Sequence, residues 1–453
     1  MFFRIPGQIK EFCGLFSSLL SKPQLGNVSV FLTGICLGSG SRSMAQLGRT
    51  VVSETRYRGS VSRAFGSRRL RTRDLTKAVA KSLIESAVRR GTPERWFLSI
   101  DAVSTRRGGF TKIINARQYH KKSEGSRGAG SKAFTFLFGL LINERGERIP
   151  LPRKTWWSEA EAKKNGKRFR TQVDLACDLV SEAREYLPNS EIVVLADSAF
   201  ANKKLSECCQ REETTFIVPL SRNRCFTPTG KERKQKTKRR KIRERLGFFG
   251  LSSWDCFNLV SSKEESASYR RHSKRERELE KRRSYRVICE TQDVSELGNV
   301  QVVYSQKSPV YTARGPKNEE SLKVLACNDS SLTARQIAEY YEIRWQIELF
   351  FRELKSGLGL GEFRGQNFFA FERHVDLVVL AFMCLEWMRI EEKSVRNPSQ
   401  ARTTDMKQWL AAQALKNDFE HLEQLLQTES GTETVRGKIH AYLGSFASEA
   451  SSA

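Results

Sequence analysis

Tyr341-Glu-Ile-Arg344-Trp-Gln-Ile-Glu348-Leu-Phe-Phe-Arg-Glu-Leu-Lys355 is the stretch on which the reading of this chain turns. Tyr341, Arg344, Glu348 and Lys355 stand at i, i+3, i+7 and i+14. At roughly 100° per residue on a helix, these four fall within an arc of about 60°. Ile343, Ile347, Phe350, Leu354 and Leu358 form a second stripe, about 110° from the first. One helix would therefore bury an apolar face and carry a phenol, two cations and a carboxylate along another. Cations and a phenol suit phosphate oxygens, and a carboxylate suits a divalent metal. A surface helix with scattered charges is the plainer alternative, and this stretch alone leaves both open.

Two Asp residues upstream bear on the choice. Trp96-Phe-Leu-Ser-Ile-Asp101 and Ile192-Val-Val-Leu-Ala-Asp197 are short apolar runs that each end in Asp. Both read as buried strands, too short for helices and rich in β-branched residues. An Asp after a strand is ordinarily a turn residue. Asp, Asp and Glu in that order, the Glu on an amphipathic helix, is a more specific set.

The spacing Tyr-x2-Arg-x3-Glu-x6-Lys resembles the motif of bacterial insertion-sequence transposases of the DDE type, in the insertion sequence four family. Gly357-Leu-Gly359-Leu and Phe363-Arg-Gly365-Gln continue the resemblance, which covers roughly residues 95–220 and 320–390. It implies that Asp101, Asp197 and Glu348 are catalytic and hold two Mg²⁺ ions, with Mn²⁺ as a substitute. Asp101 would bridge both ions, and Asp197 and Glu348 would hold one each. It also implies that Arg344 and Lys355 bind phosphates beside the cleaved bond and that Tyr341 donates a hydrogen bond to one. The implied partners are double-stranded DNA, as transposon ends and as target, with a homodimer in the DNA complex. The family's base-holding aromatic corresponds to no certain position; Trp254 lies in the insertion, where packing is the plainer role.

Composition agrees with a polyanionic partner. Of 453 residues, 78 are Lys or Arg and 51 Asp or Glu, a formal net charge of +27. Such an excess favours nucleic acid or an acidic membrane surface. No apolar run is long enough to span a bilayer; the best, 375–388, is interrupted by Asp376 and Glu386. The N-terminus lacks the apolar core of a signal peptide. The expectation is a cytoplasmic, nucleoid-associated protein that does not engage membranes. The ten Cys form no Cys-x-x-Cys pair and the five His no ligand spacing, so reduced thiols and no zinc are expected.

Along the chain, 1–94 reads as a helical, basic DNA-binding domain, with helical periodicity at 8–20 and 76–89. A helix-turn-helix within 43–63 is one option there. Residues 95–220 read as the first part of a ribonuclease-H-like catalytic core, an α/β fold with a mixed five-stranded sheet and flanking helices. Its strands would end at Asp101, cover 132–143, cover 147–156 after a hairpin turn at 144–146, and cover 192–196 and 214–219. Helices would fill 169–186 and 201–211. In that fold the first and fourth strands are neighbours, which places Asp101 beside Asp197. Residues 221–330 read as a β-rich basic insertion whose runs at 231–245 and 269–286 are either solvated charge or a phosphate-tracking surface. Residues 331–395 would complete the core with the Glu348 helix, whose start has capping-box spacing at Thr333-Ala-Arg-Gln336. The remainder, 396–453, reads as helical and then disordered from about residue 428.

The leading functional expectation is a metal-dependent, cut-and-paste DNA transposase. The alternatives are a non-catalytic DNA-binding protein derived from one, and a structure-specific nuclease on the same core.

Overall fold

A computed structural model of the chain describes residues 2–38, 44–54, 63–67, 69–91, 93–107, 117–119, 131–221, 223–227, 240–241, 255–258, 284–307, 311–312, 315–316, 322–363, 367–391 and 403–450. The basic run at 231–239, the segment holding Trp254, most of 269–286 and residues 55–62 of the 43–63 stretch lie outside the described residues. A short helix, Met44–Gly48, is described within that stretch.

The sheet begins with β1 (Arg95–Arg107) and β2 (Ser131–Asn143), paired antiparallel from Trp96↔Asn143 to Arg107↔Lys132. Here the expectation needs correction, since β1 does not end at Asp101. β2 runs beside it for six further residues and satisfies its backbone groups, as strand formation requires. The hairpin turn closes at Gly146, at φ +73°, a conformation open to glycine. The expected third strand is split into β3 (Arg148–Pro150) and β4 (Lys154–Trp156), both paired with β2. Pro152 lies between them and has no N–H to donate.

Helix α1 (Glu159–Lys164) precedes α2 (Gln172–Tyr186), which starts later than expected because Thr171 caps it with Asp174 in a capping box. β5 (Glu191–Ala196) pairs parallel with β1, and α3 (Lys203–Arg211) leads to β6 (Thr215–Pro219), parallel with β5. The order is thus β3/β4–β2–β1–β5–β6, with the first and fourth strands adjacent.

The sheet is not limited to five strands. From the insertion, β7 (Ser284–Val294) pairs with β8 (Gly298–Lys307), β8 with β9 (Leu322–Cys327), and β9 antiparallel with β6. An uncovered β6 edge would leave backbone donors and acceptors unpaired, and β9 pairs them.

After β9 come α4 (Ala334–Ile343), α5 (Trp345–Arg352), a π turn (Glu353–Gly357), α6 (Phe368–Glu391), α7 (Thr403–Leu426) and α8 (Glu429–Ala450). The last is a helix, where disorder was expected beyond residue 428. α6 is buried almost all round, as befits a helix without a polar face. Two helices from the N-terminal region, Lys22–Leu37 and Thr72–Arg89, lie against α6, and their apolar residues join the same core as the sheet. The two acids that interrupt its apolar run each meet a buried arginine. Arg148 lies 2.6 Å from Glu386, and Arg153 lies 2.7 Å from Asp376. Among the described residues no helix is long and apolar enough to cross a membrane.

Candidate active site

The register sets the first two carboxylates. β1 and β5 part company after Ile100↔Ala196, so Asp101 and Asp197 are the next residues on two adjacent parallel strands. Asp101 stays in β1, opposite Phe138 of β2. Its Oδ1 accepts a hydrogen bond from the Ala102 N–H at 2.7 Å. Asp197 caps the turn Ser198–Phe200, accepting from the Ser198 N–H at 2.7 Å, and is exposed.

The third comes from the two short helices. The expected single helix is interrupted at Arg344, between α4 and α5. The capping box at Thr333 is present, its hydroxyl accepting from the Gln336 N–H at 3.2 Å. α4 is held to the sheet at Tyr340, whose ring lies 5.1 Å from that of Phe97 and whose hydroxyl is hydrogen-bonded by Arg95. Arg95 in turn grips Glu191 with two hydrogen bonds, at 2.7 and 2.6 Å. In α5, Phe350 and Phe351 place their rings 5.6 and 5.8 Å from Phe138, the residue across from Asp101. The expected apolar stripe is buried at Ile347, Phe350, Leu354 and Leu358 and half-buried at Ile343. Burying such side chains is worth roughly 1.5–3 kcal/mol each, and this holds the helix against β1 and, through Phe138, against β2.

Arg344 joins the elements. Its Nη2 donates to Glu348 Oε1 at 2.6 Å, and its Nη1 lies 3.6 Å from Asp101 Oδ2. Only 16% of its side chain is exposed. Its guanidinium also lies 5.8 Å from the centre of the Tyr341 ring. Residues 247 positions apart in sequence thus share one cation. Burial pushes the Asp101 carboxyl above the usual carboxylate range; Ala102 N–H and Arg344 pull it down, while Asp197 and Glu348 add to the rise. Burial also pushes the Tyr341 phenol up to about 12, so it remains a neutral donor at pH 7.

Five of the six expected site residues are therefore gathered at one end of β1 and β5. Lys355 makes no contact with the other five among the described residues. The π turn carries more residues per turn than the α-helix on which the stripe was drawn, and Lys355 is exposed with no hydrogen bond or ion pair among the described residues. Arg344, expected on phosphate, is engaged here by two carboxylates. Among the described residues no group of three or more His, Cys, Asp or Glu is placed to hold a metal ion; the guanidinium stands between two of the three acids. Sequence reasoning passed over Arg148 and Glu353, which meet beneath the π turn at 3.1 Å. The acid at position 386, seen only as a break in an apolar run, was the available signal for a buried basic partner.

Comparison with protein families matches the description "Transposase DDE domain" over residues 170–384 and "DDE superfamily endonuclease" over residues 14–250. The first span contains Asp197, Arg344 and Glu348, and the second contains Asp101 and Asp197. Comparison with curated protein sequences gives no match. Among solved structures, a piggyBac transposase synaptic complex with hairpin DNA, determined by cryo-EM, is similar at 10% identity and a TM-score of 0.37, over 96% of this chain and 75% of that one. The second family spans just over half of the sequence, so the chain belongs to the DDE superfamily endonucleases, and the transposase DDE domain within it supports a DDE-type transposase.

Proposed function

We propose that the chain is a cut-and-paste DNA transposase of the insertion sequence four family. It would cleave double-stranded DNA at transposon ends and join the freed 3′-OH to target DNA. The core would be ribonuclease-H-like, with Asp101, Asp197 and Glu348 as the catalytic carboxylates. The observation that carries this reading is the Arg344 bridge, which brings a β1 carboxylate and a helix carboxylate together beside the end of β5.

The donor set fits a divalent metal of the Mg²⁺ class, since all three side chains offer hard oxygen donors and need few protein partners beyond water. Asp101, Asp197 and Glu348 are the residues that would hold it. When bound, such ions activate an attacking oxygen and stabilise a leaving oxygen at phosphorus. The chain's own residues supply position and charge. Arg344 would turn from the carboxylates to a phosphate oxygen. Tyr341, neutral at pH 7, would donate a hydrogen bond to a second oxygen. Lys355, exposed and without an ion pair among the described residues, would contact DNA from the end of the helix. The protein would act as a homodimer on paired ends.

The test uses DNA taken from either side of the coding region. Wild-type protein with Mg²⁺ or Mn²⁺ should cut this duplex at a fixed position, and Asp101→Asn, Asp197→Asn and Glu348→Gln should bind it but leave it whole. A variant that still cuts at the wild-type rate removes that residue from the site. A wild type that binds the ends and never cuts them would favour the non-catalytic relative.

A further inference from the structure

The polar side of α5 is held between two clamps. One is the Arg95–Tyr340–Glu191 contact before Arg344. The other lies after Glu348 and has no part in the chemistry above. We propose that Arg148, Glu353 and Glu386 are positioning residues, forming a closed charge cluster that fixes the π turn and through it the orientation of Glu348. This rests on Glu348 being a site residue.

α5 is only eight residues long, so its ends decide where its side chains point. Its C-terminal end opens into the π turn, closed by a hydrogen bond from the Leu358 N–H to the Glu353 carbonyl at 3.0 Å. A π turn is a locally unfavourable form that marks functional sites, and this one is gripped from three other elements. From β3, Arg148 reaches Glu353 at 3.1 Å and Glu386 at 2.6 Å. Arg389 completes the cluster, 2.8 Å from Glu386 and donating to the Gly146 carbonyl at 3.0 Å. From α7, Lys407 donates to the Gly357 carbonyl at 2.9 Å. From α6, His374 Nε2 lies 3.0 Å from the Gly359 carbonyl.

Arg148 touches the helix a second way. Its guanidinium lies 5.2 Å from the centre of the Phe382 ring, which meets Phe350 of α5 edge-on at 4.8 Å. The four charged side chains are 2–17% exposed and balance two against two. Stability does not call for charge at such a place, because apolar side chains of similar volume often serve as well or better. What charge adds is direction: Arg148 holds Glu386 by a hydrogen bond and Glu353 as an ion pair at 3.1 Å, and such pairs allow fewer arrangements than an apolar contact.

The test neutralises the cluster as a whole, with Arg148→Met, Glu353→Leu, Glu386→Leu and Arg389→Met in one protein. Melting should stay near the wild type. In the free protein, amide exchange over residues 349–358 should quicken by about tenfold or more as the turn opens locally. End cleavage should lose turnover by about a hundredfold, with the affinity for end DNA unchanged, because a displaced site residue costs rate at that scale. A folded quadruple variant with wild-type exchange and wild-type turnover would overturn the proposal. If that variant does not fold, Glu353→Gln alone decides by the same two readouts, since it leaves the Arg148–Glu386 pair in place. Glu353→Asp should restore part of the turnover if direction is what matters. Exchange needs neither DNA nor metal. A wild type that fails to cut would therefore refute the proposed reaction while leaving the clamp to be judged on its own.

Discussion

Two groups of charges flank the same short helix, and they are built differently. Behind it, Arg148, Arg389, Glu353 and Glu386 are 2–17% exposed and balance two against two. In front of it, Arg344 is the one cation in contact with the Asp101 and Glu348 carboxylates among the described residues, and Asp197 beside them is exposed. The buried group is complete, and adding or removing one charge leaves another stranded. The front group carries an excess of negative charge at an open end of the sheet, which is a condition for taking up cations. Completeness separates scaffold from site here better than burial does, since Asp101 and Arg344 are themselves largely covered.

The largest effect that can break this comparison is on stability. Arg148→Met takes the paired arginine from Glu353 and leaves Glu386 with Arg389 alone, and should cost roughly 3–5 kcal/mol, the range for breaking a buried ion pair. Asp101→Asn should cost nothing or stabilise. The Asp101 carboxyl is raised in the folded state, so its charge opposes folding at neutral pH and is relieved as the pH falls. Urea unfolding of both variants at pH 7 checks this, and a similar loss in each would erase the distinction.

A smaller effect sharpens it at the front. Thr333 caps the helix that carries Tyr341 and ends at Arg344, and the Thr333 N–H donates in turn to the Gln336 side-chain oxygen at 2.9 Å. Thr333→Ala should cost about 1 kcal/mol of stability, read from the shift in urea midpoint. No loss would mean that the Tyr340 anchor alone fixes α4.

The smallest lies away from both groups. Asp174 sits 2.5 Å from Lys204 on the surface. Burial works against its charge, but Lys204 and Thr171 prevail and hold its carboxyl at about 2, against an ordinary 3.8. A depressed acid contributes stability above its unfolded value and loses it as the pH falls towards about 2. Asp174→Asn should therefore flatten the stability profile between about pH 4 and pH 2 and leave the rest of the curve in place. Thermal melts across that window test it, and an unchanged slope would refute the assignment.

Much of this was legible in the sequence, for reasons that can be named. Asp197 ends a run of β-branched residues and Asp101 an apolar run too short for a helix, and their adjacency was read from the fold whose order of elements the sequence resembles. The Ile347–Leu358 stripe has helical period and is buried as read. The errors arise where tertiary contacts override local pattern. β1 outlasts Asp101 because β2 is there to pair with it. The π turn at Glu353–Gly357, invisible to any fixed period, takes the place of the regular helix on which Lys355 was read. Arg148 carried no local sign at all, since its partners are 205 and 238 residues away. The strand at 322–327 was assigned to the insertion, though its partner on one side is β6 of the core.

That last pairing bears on how so long an insertion is tolerated. The Leu220 N–H donates to the Val324 carbonyl at 2.8 Å, so the chain leaves the core and returns to it at the same point. In entropic terms the whole insertion is the loop of one β-hairpin. Loop-closure entropy grows only with the logarithm of length, about 0.6 kcal/mol for each doubling. A hundred residues there cost little more than a few dozen would, and evolution can lengthen or replace the loop without renegotiating the fold. The hairpin also ties any motion of the loop's base to the strand that leads back toward Asp197, so movement independent of the site must begin beyond β8 and β9.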